Sequence, residues 1–257
     1  MRMRWVVSLI MTCVLTGCAS TGSSVPGQNQ IEIAKAEQKL GESYYLAGRY
    51  AEALRKLLDA EKIIPNDPFL QNSLGLVYMV NERYSTAETY FTKALSIKPD
   101  YIVAKNHLGV TLIKQEKWDA AISLYEEMSQ NLLYASQENT YANLGWAYRG
   151  KKEYSKAKQS FEKALEIRPC FPVASHGLAT VYLDMLQQDE CIRFLNQCLL
   201  EYPEMDILHA DLARAYESVN DFTSAYESWK KVIELSPQNS SLNKEAKKKV
   251  YDLELLQ

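Results

Sequence analysis

Five cysteines and three histidines are the residues of this 257-residue chain most easily turned to chemistry. Cys18 ends the run Leu15-Thr16-Gly17-Cys18, which follows Arg2, Arg4 and a mostly apolar stretch from Trp5 to Leu15. A basic start, a short apolar centre and small residues before a cut make the layout of a secretory signal, which would hold Cys13. The apolar run falls far short of the ~20 residues that span a bilayer. Cys191 and Cys198, seven apart, would lie ~10 Å apart on one helix at ~1.5 Å per residue. That is too far to bridge each other, and both fall where the pattern below places small residues. Buried free thiols are therefore the expectation for Cys170, Cys191 and Cys198. Cys170, just after Pro169, is the one plausible partner for either of the others in a compartment that permits disulfides. His107, His176 and His209 have no Cys, Asp or Glu at metal-ligand spacing, so no metal is expected. The chain has no Gly-rich phosphate loop, no Gly-x-Ser-x-Gly and no Cys-x-x-Cys. Its carboxylates are expected on outward helix faces, where solvation is the default. Neither catalysis, a cofactor nor a small-molecule substrate is expected.

These residues hang on a repeat. Pro68 to Tyr101 reads as two amphipathic helices, with Leu74, Gly75 and Tyr78 on one face of the first. Tyr84, Ala87, Phe91, Ala94 and Leu95 share a face of the second, and Pro99 closes the unit. Shifting the window by about 34 residues returns the pattern. A small residue recurs at Gly41, Gly75, Gly109, Gly145, Ala179 and Ala213. An aromatic follows three places on at Tyr44, Tyr78, Tyr148, Tyr182 and Tyr216, with Leu112 as the exception. In the second helix a small residue stands at Ala53, Ala87, Ala121, Ala157, Cys191 and Ala225. The large one stands at Leu57, Phe91, Tyr125, Phe161, Leu195 and Trp229. Pro65, Pro99, Pro169, Pro203 and Pro237 end second helices, with Leu133 in that place in the third unit. This resembles the tetratricopeptide repeat, whose pattern is W-x2-L-G-x2-Y…A-x3-F…P. The resemblance implies an all-α fold: a right-handed α-α superhelix of six repeats, stabilised unit by unit rather than by one core.

The chain then divides as follows. Residues 1–17 read as a lipoprotein signal peptide and 18–33 as a flexible tether rich in Ser, Gly, Pro and Gln. Six units follow at 34–67, 68–101, 102–137, 138–171, 172–205 and 206–239. The third is two residues too long, with the excess in 130–139. Residues 240–257 read as a capping helix, with Ser240 or Ser241 as N-cap. Leu242, Ala246, Val250 and Leu253 would face inward and Lys244, Lys247, Lys248 and Lys249 outward. Net charge is −3, or −5 once Arg2 and Arg4 are removed (−3 − 2), which offers no basic footprint for nucleic acid.

Leu15-Thr16-Gly17-Cys18 is similar to the lipobox of bacterial lipoproteins. That implies diacylglycerol on Cys18, cleavage before it, and acylation of the new amino terminus. Ala19 and Ser20 follow, with no Asp at the second place, and the resemblance then implies the outer membrane, facing the periplasm. The run Asn143-Leu144-Gly145-Trp146-Ala147-Tyr148, with Ala104-Lys105-Asn106-His107-Leu108-Gly109, resembles the type IV pilus biogenesis/stability lipoproteins of the PilW/PilF family. Membership implies a pilotin or pilus-stability factor that helps a secretin assemble. A general envelope adaptor recruiting a protease or peptidoglycan enzyme is a second class, and a lipoprotein of a tight-adherence pilus or other secretion system a third. Helical geometry directs a further set of first-helix residues to the concave side. These are Asn72, Leu76 and Met79, then Asn106, Val110 and Ile113, then Trp146 and Arg149, then His176 and Leu183. Arg214 and Glu217 make the last repeat polar. The amides would hold a partner's main chain through both donor and acceptor, and the apolar residues its side chains.

Overall fold

The computed structural model describes residues 27–130 and 136–255. The signal, Cys18 and Leu133 lie outside the described residues. Among those described there are thirteen α-helices and no strand. They are α1 (Gln28–Leu46), α2 (Tyr50–Glu61), α3 (Pro68–Val80), α4 (Tyr84–Ile97), α5 (Ile102–Lys114) and α6 (Trp118–Ser129). Next come α7 (Gln137–Gly150), α8 (Tyr154–Ile167), α9 (Pro172–Asp184), α10 (Gln188–Glu201), α11 (Asp206–Ser218), α12 (Phe222–Leu235) and α13 (Ser241–Glu254). The first helix reaches back into the stretch that composition marks as tether. Gly27 donates its N–H to the Gln30 side chain at 3.2 Å, and Gln28 reaches Glu32. Local bonds of this kind start a helix where no apolar residue demands one.

Each odd helix pairs with the next even one, and each even helix packs on the following odd one. The odd helices from α1 to α11 also touch one another across neighbouring hairpins, and no comparable row joins the even helices. The closer-set row is the inside of the bend, so the odd helices line the concave face of the superhelix. Small and large columns explain the hairpin packing. A Cβ added to Gly75 would sit 2.5 Å from Phe91 Cε1, and one on Gly145 would sit 2.7 Å from Phe161 Cε1. Gly41 stands in the same relation to Leu57, and Gly109 to Tyr125. Phe91, Tyr125, Phe161, Leu195 and Trp229 are all completely buried. Burying a side chain of that size contributes up to ~3 kcal/mol, and a glycine or alanine opposite makes the room.

Every turn inside a hairpin has one geometry. The residue four places after the aromatic column is left-handed: Gly48, Glu82, Glu116, Lys152, Leu186 and Asn220, with φ between 57° and 72°. The next residue's N–H bonds back to the column's carbonyl, as Arg83 does to Tyr78 at 2.9 Å and Gln187 to Tyr182 at 2.8 Å. This is a Schellman ending, which satisfies carbonyls the helix would otherwise leave open. It is kept even where Leu186, 78% exposed, must adopt it at a cost of ~1–2 kcal/mol.

Two expectations are corrected here. Cys170 and Cys198 are joined in a disulfide, Cα to Cα 5.2 Å, and among the described residues only Cys191 is free, and it is buried. Pro169 stops the helix, Cys170 turns left-handed with φ 49°, and that turn aims its side chain at α10. At the C-terminal end Ser240 caps α13 by accepting from Asn243 N, and Ala246 and Leu253 are buried. Asn243 itself is buried, donating to the Ile233 carbonyl and to Ser236 Oγ. Lys249, however, does not face away: it pairs with Glu217 of α11 at 2.6 Å.

Candidate functional site

The concave face carries polar side chains that reach into the neighbouring repeat. His107 on α5 donates from Nδ1 to Asn72 Oδ1 on α3 at 2.8 Å. Asn143 Nδ2 on α7 donates to Asn106 Oδ1 on α5 at 3.0 Å, and Tyr125 donates its hydroxyl to the Asn106 carbonyl. Arg149 on α7 pairs with Asp184 on α9 at 2.7 Å. His176 on α9 lies 2.6 Å from Asp211 Oδ2 on α11, a fully buried carboxylate that also takes Arg214 at 3.0 Å. Arg214 continues to Glu245 on α13 at 2.9 Å, and Glu217 accepts from Trp229 Nε1 and holds Lys249. Buried polar groups must find partners. Partners one repeat away make the inner face a stitched row rather than a set of loose anchors.

The expected groove residues occupy this row unequally. Asn72 is only 5% exposed and its oxygen belongs to His107. The Asn106 oxygen is likewise taken by Asn143. The expectation that each amide offers both donor and acceptor is therefore revised: each keeps its NH2, and the acceptor is used inside the fold. Leu76, Met79, Val110, Ile113 and Leu183 are half-buried. Met79 Sδ receives the Thr111 hydroxyl, while Ile113 and Leu183 lean on neighbouring core clusters. Trp146 is half-buried, edge-on to Phe161 at 5.5 Å and 5.3 Å from the His176 ring, with the Arg149 guanidinium 5.6 Å from its centroid. Arg214 and Glu217 are both paired. His107, Asn143, Asp211 and Glu245 were not singled out as site residues. Their signal was present, since each falls 31 to 37 places after its partner.

Burial lowers the pKa of His107 below its ordinary value, so the ring is neutral and its proton sits on Nδ1, facing Asn72. The unfolded chain binds a proton near pH ~6.5 while the folded chain resists it. Stability from this group is therefore full above that value and is lost as pH falls toward the lower folded value. His107→Gln is expected to reduce the drop in melting temperature between pH 7.5 and 5.5. Melts of both proteins at the two pH values check this, and an unchanged drop would show that His107 does not titrate in this way.

Models of the tetratricopeptide repeat match residues 100–169, 70–101 and 208–239. The chain is similar to the crystal structure of PilW, described as a widely conserved type IV pilus biogenesis factor. The TM-score is 0.72 at 17% identity, covering 83% of this chain and 98% of that one. Against PilF of Pseudomonas aeruginosa the TM-score is 0.65 at 21% identity, covering 86% and 99%. MamA from Desulfovibrio magneticus RS-1 gives 0.60 at 21% identity, covering 68% and 98%. At such identities the likeness is one of fold.

Proposed function

The chain belongs to the tetratricopeptide-repeat family, and from that premise we propose that it is a non-enzymatic assembly factor of type IV pili. In this reading it is a lipoprotein, anchored through Cys18 to the outer membrane and facing the periplasm. It acts as a pilotin or stability factor, holding a secretin or another pilus-machinery protein in its concave groove. A stacked array offers one continuous inner surface suited to a protein segment. The observation that carries the reading is the likeness to PilW and PilF over nearly the whole of those chains. Two features support it. The lipobox-like Leu15-Thr16-Gly17-Cys18 precedes the array. A buried disulfide fits an oxidising compartment.

The anchor is tested by Cys18→Ser. Several acyl chains at ~0.8 kcal/mol per buried CH₂ hold a protein firmly, so the variant is expected to move from the outer-membrane fraction to the soluble periplasm. Persistence in that membrane in a strain lacking its pilus partners would contradict the lipoprotein reading. Deleting the gene is expected to abolish surface pili. Normal piliation with altered protease or cell-wall activity would favour an envelope adaptor instead.

A further inference from the structure

We propose that closing the Cys170–Cys198 disulfide is a maturation step that orders α9 and completes the C-terminal half of the groove. The chain would then be a substrate of an exported disulfide oxidant before it is a scaffold. The consequence for the groove rests on the reading above; the ordering of α9 does not.

The helix that the cross-link encloses is α9. Its sequence PVASHGLATVYLD carries Gly177 at its centre, with Val173, Thr180 and Val181 around it. Glycine and β-branched residues are poor helix formers. Its N-cap, Phe171, supplies no side-chain hydrogen bond, so the first-turn N–H groups lack the usual capping acceptor. The residue before that cap, Cys170, is held left-handed without being glycine. Yet α9 is packed on four helices: α7, α8, α10 and α11. It supplies both His176, which reaches Asp211 and lies beside Trp146, and Asp184, which fixes Arg149. The helix at the junction of the groove's two halves is thus tied at its entrance to the body of α10. The other hairpins have no such tie, and the place of Cys198 holds Ala60, Ala94, Met128, Ala164 or Val232, all buried. The cross-link spans 28 residues and encloses all of α9, which removes open conformations from the unfolded ensemble.

The chemistry balances as a thiol–disulfide exchange. One cysteine thiolate attacks a sulfur of the oxidant's disulfide and forms a mixed disulfide, releasing one oxidant thiolate. The second cysteine, as thiolate, then displaces the oxidant's remaining sulfur. Two thiols lose two protons and two electrons, and the oxidant leaves as a dithiol. Cys191 is set apart from this exchange. It is buried, with its Sγ directed to the Ala179 carbonyl, and burial pushes its thiol up to about 12, which keeps it protonated and unreactive.

The test uses full-length protein purified in detergent, reduced with dithiothreitol and reoxidised with glutathione disulfide. Alkylation of the unfolded protein, read residue by residue by peptide mapping, should find Cys170 and Cys198 joined and Cys191 free in the oxidised protein, and all three alkylated in the reduced protein. Hydrogen exchange across residues 172–184 should speed up at least tenfold on reduction, with α3 and α5 within twofold, and reoxidation should restore protection. Cys170→Ala with Cys198→Ala should behave as the reduced protein does, so the result does not hang on the reductant. Alkylation of both Cys170 and Cys198 in the untreated protein, or equal protection of α9 in both redox states, would overturn the proposal. No partner is needed in either arm, so failure of the pilus reading would leave this result standing.

Discussion

Gly75→Leu is expected to lower the melting temperature by roughly 5–10 °C, while Lys248→Ala leaves it unchanged within error. Even the first carbon of a side chain at Gly75 would meet the Phe91 ring at 2.5–2.8 Å. Phe91 has no room to retreat, being completely buried with the His107 ring 5.5 Å away. Overpacking of this kind costs ~1–3 kcal/mol or more, and each kcal/mol moves the midpoint by ~2–4 °C in a chain of this size. The cost is borne at one hairpin, but neighbouring hairpins share interfaces, so it spreads along the array. Lys248 is exposed on α13, and a surface change of that type is worth no more than ~0.5 kcal/mol. Circular-dichroism melts decide the matter. Equal effects from the two substitutions would contradict the packing of small on large residues described above.

Asn106→Ala combined with Trp146→Ala is expected to weaken capture of the proposed pilus-machinery partner by roughly 100-fold or more. A buried apolar anchor contributes ~1.5–3 kcal/mol, and each ~1.4 kcal/mol is tenfold in affinity. Asn106 adds its free NH2 at the same level of the groove. Both residues also serve the fold, since Asn106 accepts from Asn143 and Trp146 rests on Phe161. Asn143→Ala is the control. It removes the same inter-repeat bond while keeping Asn106 and the indole, and it should retain most of the affinity. A control as weak as the double variant would assign the loss to packing rather than recognition.

The repeat was legible in the sequence because its signals are short-range: a small residue, an aromatic three places on, and a large residue sixteen places after the small one. Gly75 and Phe91 meet as those positions imply. The inner face was legible only in part. The positions of Asn72 and Asn106 follow from helical phase, but what occupies their oxygens depends on a side chain about one repeat away. That distance is set by the stacking and not by the helix. The left-handed turn residues were hidden for a similar reason. Glu82, Glu116, Lys152 and Leu186 have no preference for positive φ, and the hairpin imposes it. The disulfide depended on one such turn. Pro169 and Cys170 read as a helix end, and the direction in which Cys170 points is decided by its φ of 49°. Lys249 lies off the apolar face of α13 and reads as outward, while Glu217 on the preceding first helix draws it in.

In the function proposed above, the concave face serves pilus assembly. Its most direct test is the amount of heat-resistant secretin multimer in a deletion strain complemented with the Asn106→Ala, Trp146→Ala protein. The comparison requires wild-type abundance, membrane fractionation and a cooperative melt for the variant. The prediction is that wild-type protein restores multimers and surface pili, and that the double variant restores neither. Normal multimers and normal pili in that strain would contradict it.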